Sequence, residues 1–182
     1  MGYEAALQKA WESVLENGIK DKYLKFFNDE YEVDYVGRNI VSMSCNAPAK
    51  DHYKLLILHY LANENKVSKS AGDAWISFKE LEGGETYFPA FKKRAINPVL
   101  RKYGDRPLAI FDRAAAFNAE RIDQGSAAIS INAFQKVKVA VILWAKDEEF
   151  PADCNMLFNP EIMYIFPTED TAVLGGITAS LL

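Results

Sequence analysis

Residues 137–158 read VKVAVILWAKDEEFPADCNMLF, and this stretch decides the fold. Val137, Val139, Val141 and Leu143 fall on one face of an extended chain, and Ala140, Ile142 and Trp144 fall on the other. Side chains alternate between the faces of a strand. A strand apolar on both faces belongs in the middle of a covered sheet. After Trp144 the pattern breaks into three consecutive carboxylates, Asp147, Glu148 and Glu149, and the chain turns at Phe150-Pro151.

Upstream, residues 127–134 supply a second strand next to this one. Before it, residues 108–122 are alanine-rich, with Leu108, Phe111 and Ala115 on one helical face, and Gly125 ends that segment. Downstream, Asn159-Pro160 has the form of an N-cap with proline in the first turn. A last helix is expected from about Thr168, with Glu169 and Asp170 at the positive end of its dipole. Gly175-Gly176 should weaken or bend it.

The first half alternates between the two periods. Tyr3, Ala6, Leu7, Ala10, Trp11, Val14 and Leu15 form a helical stripe that Asn17-Gly18 stops. Tyr23, Phe26 and Phe27 predict a second short helix. Residues 31–45 alternate on either side of Gly37-Arg38, which predicts a β-hairpin with Val41, Met43 and Cys45 on its apolar face. From Asp51 a helix carries Tyr53, Leu56, Ile57, Tyr60 and Leu61 on one face, with Leu55 and Leu58 extending the apolar surface, so it should be central. His52 and His59 lie on that helix at a spacing that metal pairs seldom use, which favours a His59 satisfied by a neighbouring side chain.

A polar loop is expected over residues 63–73. Trp75-Ile76-Ser77-Phe78 predicts a strand, Glu82-Gly83-Gly84 a turn, and Glu85-Thr86-Tyr87 a returning strand. A helix begins near Phe91 and restarts at Asn97-Pro98. Strands and helices come in blocks, not in strict alternation. The fold class read from this order is α+β, a mostly antiparallel sheet with hairpins covered by several helices, in a single domain over residues 1–182.

Composition narrows the function. The 182 residues are 49% hydrophobic and 25% charged, an ordinary globular balance. A chain of this length buries roughly 70% of the surface its unfolded form exposes. The net charge of −4 argues against a phosphate-backbone binder, so no nucleic-acid partner is expected. No run reaches about 18 apolar residues, so no membrane span is expected either. With two distant cysteines, no secretory leader and no disulfide framework, the sequence reads as cytoplasmic.

Motifs with a set chemistry are missing. There is no GxxxxGK[ST] loop, no GxGxxG after a strand and no GxSxG elbow. Cys154 follows the acidic turn, where neighbouring carboxylates disfavour a thiolate. The sequence names no catalytic residue, no cofactor and no metal site.

Several phrases occur in a recognisable order. They are His59-Tyr60-Leu61, Trp75-Ile76-Ser77-Phe78, Leu81-x-Gly83-Gly84-x-x-Tyr87 with Phe91 and Arg94, Trp144-x-x-Asp147-Glu148-Glu149-Phe150-Pro151, and Leu157-Phe158-Asn159. From about residue 53 to the C-terminus the chain resembles a domain-of-unknown-function family of anaerobic bacteria and archaea. Some members of that family are fused to iron–sulfur modules of the corrinoid-protein type. The resemblance implies a setting in anaerobic metabolism and no particular reaction. This chain lacks the cysteine-rich module, so no cluster carries over, and Asn159 stands where the family pattern has an aspartate.

The candidate ligand-binding residues are Trp75, Tyr87, Arg94, Trp144, Asp147, Glu148 and Glu149. One reading has Asp147 and Glu149 facing a cleft walled by Trp144, Trp75 and Tyr87, which would hold a small flat or cationic ligand or a protein partner. The other has the acidic turn anchored structurally on Arg94 or Arg38. An enzymatic alternative uses Glu148 or Glu149 as general acid/base, or the whole turn as ligands for a divalent cation. A scaffold docking through Phe88 or Phe150 is a further possibility.

Overall fold

The computed structural model describes residues 3–67 and 74–182. In chain order it contains α1 (Glu4–Glu16), β1 (Tyr23–Phe26), β2 (Asp29–Asp34), β3 (Asn39–Ser42), β4 (Ala47–Pro48), α2 (Asp51–Asn63) and β5 (Ile76–Ser77). There follow α3 (Gly84–Phe91), α4 (Asn97–Tyr103), α5 (Ile110–Ala114), β6 (Glu120–Arg121), β7 (Ala127–Phe134), β8 (Val137–Trp144), β9 (Asp153–Phe158), α6 (Ile162–Ile165) and α7 (Thr168–Leu181). The α+β class holds, with two antiparallel sheets instead of one. Their strand orders are β1-β2-β3-β4 and β5-β9-β8-β7-β6.

β8 is the central strand of the larger sheet, as its two apolar faces require. Val139, Val141 and Leu143 are fully buried on one face, and Ala140 and Ile142 are buried on the other. β9 is a strand beyond those read from sequence; it follows the acidic turn, and its alternation is weaker than that of β8. Cys154, Met156 and Phe158 are its buried positions. Its inner face therefore continues that of β8.

Several expectations fail for identifiable reasons. Residues 23–26 form a strand, not a helix, because Tyr23 to Phe26 pair in register with Glu32 to Asp29. In the hairpin the period of two is right but the face is inverted beyond the turn. Val33 opposes Ile40 and Tyr31 opposes Ser42, so Ile40 and Ser42 point inward while Met43 and Cys45 are exposed. A one-residue offset in a connection moves every following side chain to the other face.

The returning strand at 85–87 is instead the start of α3. Ser77 and Glu80 form a reciprocal capping box, Phe78–Glu80 wind into a 3-10 turn, and Gly83 takes a left-handed φ of 69°. Gly84 then packs so close to the preceding turn that a Cβ would overlap the Phe78 carbonyl oxygen. Asn97-Pro98 does not restart a helix. Lys92–Ile96 form a π turn, with the Asn97 N–H bonded to the Lys92 carbonyl, and the helix runs on into α4. The wider turn relieves the clash that a proline ring imposes on the preceding turn of an α-helix.

The helix expected over 108–122 is shorter. Asn118 enters the left-handed region at φ 48°, and β6 then joins β7. The polar loop expected over 63–73 begins as the end of α2 and a 3-10 turn, while residues 68–73 lie outside the described residues. α7 stays helical through Gly175-Gly176. A Cβ at Gly175 would sit 2.6 Å from the Phe91 ring, so the glycine permits close packing there. Among the described residues no helix is long and apolar enough to cross a membrane.

One hydrophobic core joins the two sheets. Its bridge is an aromatic stack. Phe134 of β7 lies face to face with Tyr60 of α2 at 4.4 Å and with Phe26 of β1 at 4.5 Å. α2 contributes Leu56, Ile57, Leu58 and Leu61 to this core, in keeping with its central position.

Candidate functional site

Three departures from regular structure meet beside that stack. The first is in β7. The β7–β8 register shifts between Asn132 and Phe134, leaving Ala133 as an extra residue. A bulge frees backbone groups from the ladder. Here the Ala133 carbonyl accepts a 2.7 Å hydrogen bond from the Phe27 N–H, which ties the smaller sheet to the larger. The second is Phe27 itself. It occupies the first position of a two-residue hairpin loop at φ 54°, where glycine is favoured. A bulky residue in this region is strained by an amount on the order of 1–3 kcal/mol.

The third is Tyr60. Its side chain is 3% exposed, and its hydroxyl is the one buried side-chain polar atom among the described residues without a hydrogen-bond partner. The Glu64 side chain and the Lys136 backbone lie near enough to act on it electrostatically. Burial raises the hydroxyl's pKa, and the Glu64 charge raises it further, so it stays protonated at neutral pH. A buried unpaired hydroxyl costs about 1–3 kcal/mol of desolvation.

These features line a groove of about 520 Å³ between β1, the C-terminal end of α2 and the β7–β8 turn. Tyr60, Leu61 and Phe134 form its floor, Tyr23, Leu24 and Phe27 one wall, and Asn132 and Gln135 the other. Asp21, Glu30 and Glu64 stand on its rim against one ammonium, Lys25. The groove is thus aromatic below and anionic above. Rings of this kind attract cations through their faces, and carboxylates add charge-assisted hydrogen bonds.

The residues singled out from sequence are distributed differently. Arg94 donates to the Tyr87 hydroxyl at 3.0 Å. Trp144 is 39% exposed at the end of β8 and lines a separate groove with Phe88, Lys92 and Cys154. Trp75 immediately precedes β5 and is half-buried. Asp147, Glu148 and Glu149 lie in an exposed turn that closes on itself. The Asp147 Oδ1 accepts from the Glu149 N–H at 2.9 Å and the Phe150 N–H at 2.7 Å, and the Asp147 N–H donates to the Phe150 carbonyl. These two donors, Phe150 first, hold the Asp147 carboxyl below its ordinary pKa. Among the described residues no ion pair joins the turn to Arg94 or Arg38.

His59 has the neighbour expected for it. Its Nδ1 lies 2.5 Å from the Oδ2 of Asp170, a side chain only 8% exposed at the start of α7. Asn63, one turn on, donates to the His59 and Ile165 carbonyls, so the pair is part of the joint between α2, α6 and α7. Asn159 is likewise a fastener. It accepts from the Lys138 N–H at 2.7 Å and donates to the Lys136 carbonyl and to Glu161. An aspartate at this position would lack those donors. Among the described residues no three His, Cys, Asp or Glu side chains converge where a metal ion could sit. Burial, with the nearby Asp153 charge, pushes the Cys154 thiol up to about 12.

Sequence reasoning missed the Tyr60 groove. Tyr60 read as one more member of an apolar stripe, and Phe27 was assigned to a helix. Among family models, one described as a domain of unknown function, DUF3786, matches residues 12–180. The match therefore begins within α1, well before residue 53. Neither a curated protein nor a solved structure matches the chain.

Proposed function

We propose that this chain, which belongs to the DUF3786 family, is a ligand-binding module that takes a small flat or cationic molecule in the Tyr60 groove. The observation that carries the reading is the unpartnered Tyr60 hydroxyl on the floor of that groove. A bulge, a strained aromatic and an orphan hydroxyl each lower stability. Their convergence on one concave surface is what a binding site predicts, since local rules are broken where function requires it. Rim carboxylates suit an amine or other cation, and the aromatic walls suit a flat one.

The anaerobic setting implied by the family resemblance makes corrinoids and tetrapyrroles the flat ligands of first choice, and polyamines the cationic ones. An enzymatic reading through Asp147 to Glu149 has less support, because the Asp147 carboxylate is already engaged by its own turn. Isothermal titration with spermidine, a corrinoid and a free tetrapyrrole tests the proposal. Heat of binding should appear with one of them. Glu64→Gln or Tyr60→Phe should then weaken it about tenfold, the worth of one charge-assisted hydrogen bond. No heat from any of the three with the unmodified protein would sink the reading.

A further inference from the structure

We infer that the groove between the end of β8 and the helix of α3 and the π turn binds a small planar aromatic anion. The groove encloses about 420 Å³, at the lower end of the range that small-molecule sites occupy. Trp144, the last residue of β8, lines it together with Asp153, its partner in the ladder. Phe88 of α3 and Lys92 and Ile96 of the π turn form the helical wall, and Lys79 of the preceding 3-10 turn joins them.

The aromatic part of the ligand follows from the rings. Trp144 is the one exposed residue of a strand that is otherwise buried or nearly so. Phe88 is half-buried in the same groove. Ring surface left in water on a concave wall is available to stack on another ring, in the offset or edge-to-face arrangements that aromatic pairs prefer. A single fused ring system is the size that the groove accepts.

The anionic part follows from the charges. Lys79 and Lys92 line the groove against one carboxylate, Asp153. Among the described residues neither lysine is in an ion pair. The Lys79 Nζ lies 4.6 Å from the centre of the Phe88 ring, so an ammonium already stands at the aromatic surface. An acidic substituent on a bound ring would meet it there. The wall behind adds to the field. Residues 86–104 carry Lys92, Lys93, Arg94, Arg101 and Lys102 and no carboxylate, in a chain whose net charge is −4. Charge segregated in this way makes one face locally positive and concentrates anions at it. A carboxylate or a phosphate on the ring is the complementary group. The Tyr60 groove has the opposite sign on its rim and shares no lining residue with this one, so the two sites are independent.

Isothermal titration of the full chain with indole-3-acetate and with adenosine monophosphate is the test. Indole-3-acetamide, tryptamine and adenosine are the neutral and cationic controls. At least one of the two anions should bind with a Kd below about 1 mM, and about tenfold more tightly than its controls. Which of them binds tells a carboxylate ligand from a phosphate one. The double variant K79Q/K92Q, at two exposed positions clear of the core, should lose the preference for the anion. Trp144→Leu should weaken binding about tenfold, the worth of one aromatic stack. Tyr60→Phe, in the other groove, should change nothing. No binding of either anion, or a preference for tryptamine, would overturn the inference. So would a preference that survives K79Q/K92Q, binding that Trp144→Leu leaves intact, or binding that Tyr60→Phe abolishes.

Discussion

Replacing Tyr60 by phenylalanine removes one oxygen and leaves the ring in place. The ring is held by its 4.4 Å stack on Phe134, with planes 9° apart, and phenylalanine keeps that contact. What disappears is a buried hydroxyl without a hydrogen bond. Leaving such a group unsatisfied costs about 1–3 kcal/mol, and because the groove opens beside it the lower end applies, so Y60F should stabilise the fold by about 1 kcal/mol. For a chain of this size that corresponds to a rise in Tm of about 2–4 °C. Thermal and urea unfolding followed by circular dichroism at pH 7 read the effect, with equal m-values as the check that the unfolded state is unchanged. A fall in stability of about 1 kcal/mol or more would refute the reasoning, because it would mean that the hydroxyl is bonded in the native protein. Gained stability together with lost ligand affinity is the signature of a group retained for function.

Other expectations concern the rest of the chain. His59→Ala should strip Asp170 of its partner in a nearly dry site and destabilise the protein by about 2–3 kcal/mol, less than for a fully buried pair because the imidazole is part-exposed. An unchanged urea midpoint would contradict it. Cys154, with its pKa pushed up to about 12, should resist a thiol reagent in the native protein, whereas exposed Cys45 reacts. Native labelling of both would show β9 to be loosely held. The Asp147 carboxyl should titrate below an ordinary aspartate in an NMR pH series. A depressed folded pKa contributes stability above the unfolded value and loses it as pH falls through the folded one, so the turn should loosen only in acid. A titration at or above the ordinary value would argue against the two backbone donors.

Legibility from sequence followed the reach of the forces involved. α1, α2 and the β7–β8 pair were readable because their apolar patterns are written into consecutive residues, and α7 because Glu169 and Asp170 mark its first turn. The returning strand at 85–87, the helix restart at Asn97 and the helix at 23–27 were misread. Each depends on a partner far along the chain or on a turn that resets the geometry. Tyr23 to Phe26 become a strand only because β2 is there to pair with them. Of the candidate residues, Tyr87 and Arg94 do meet, and Trp144 lines a groove, but its companions there are Phe88 and Lys92.

The stretch at 137–158 by itself pointed to a doubly covered sheet, since its short, β-branched run is apolar on both faces of an extended chain. It also determined a turn at Asp147, whose side chain bonds only to donors two and three residues away. The groove beneath Tyr60 was decided by tertiary structure alone. A carbonyl freed by a bulge at Ala133 had to find Phe27 more than a hundred positions earlier. Local periodicity records which faces are apolar. It does not record which backbone groups are left over when the pieces meet.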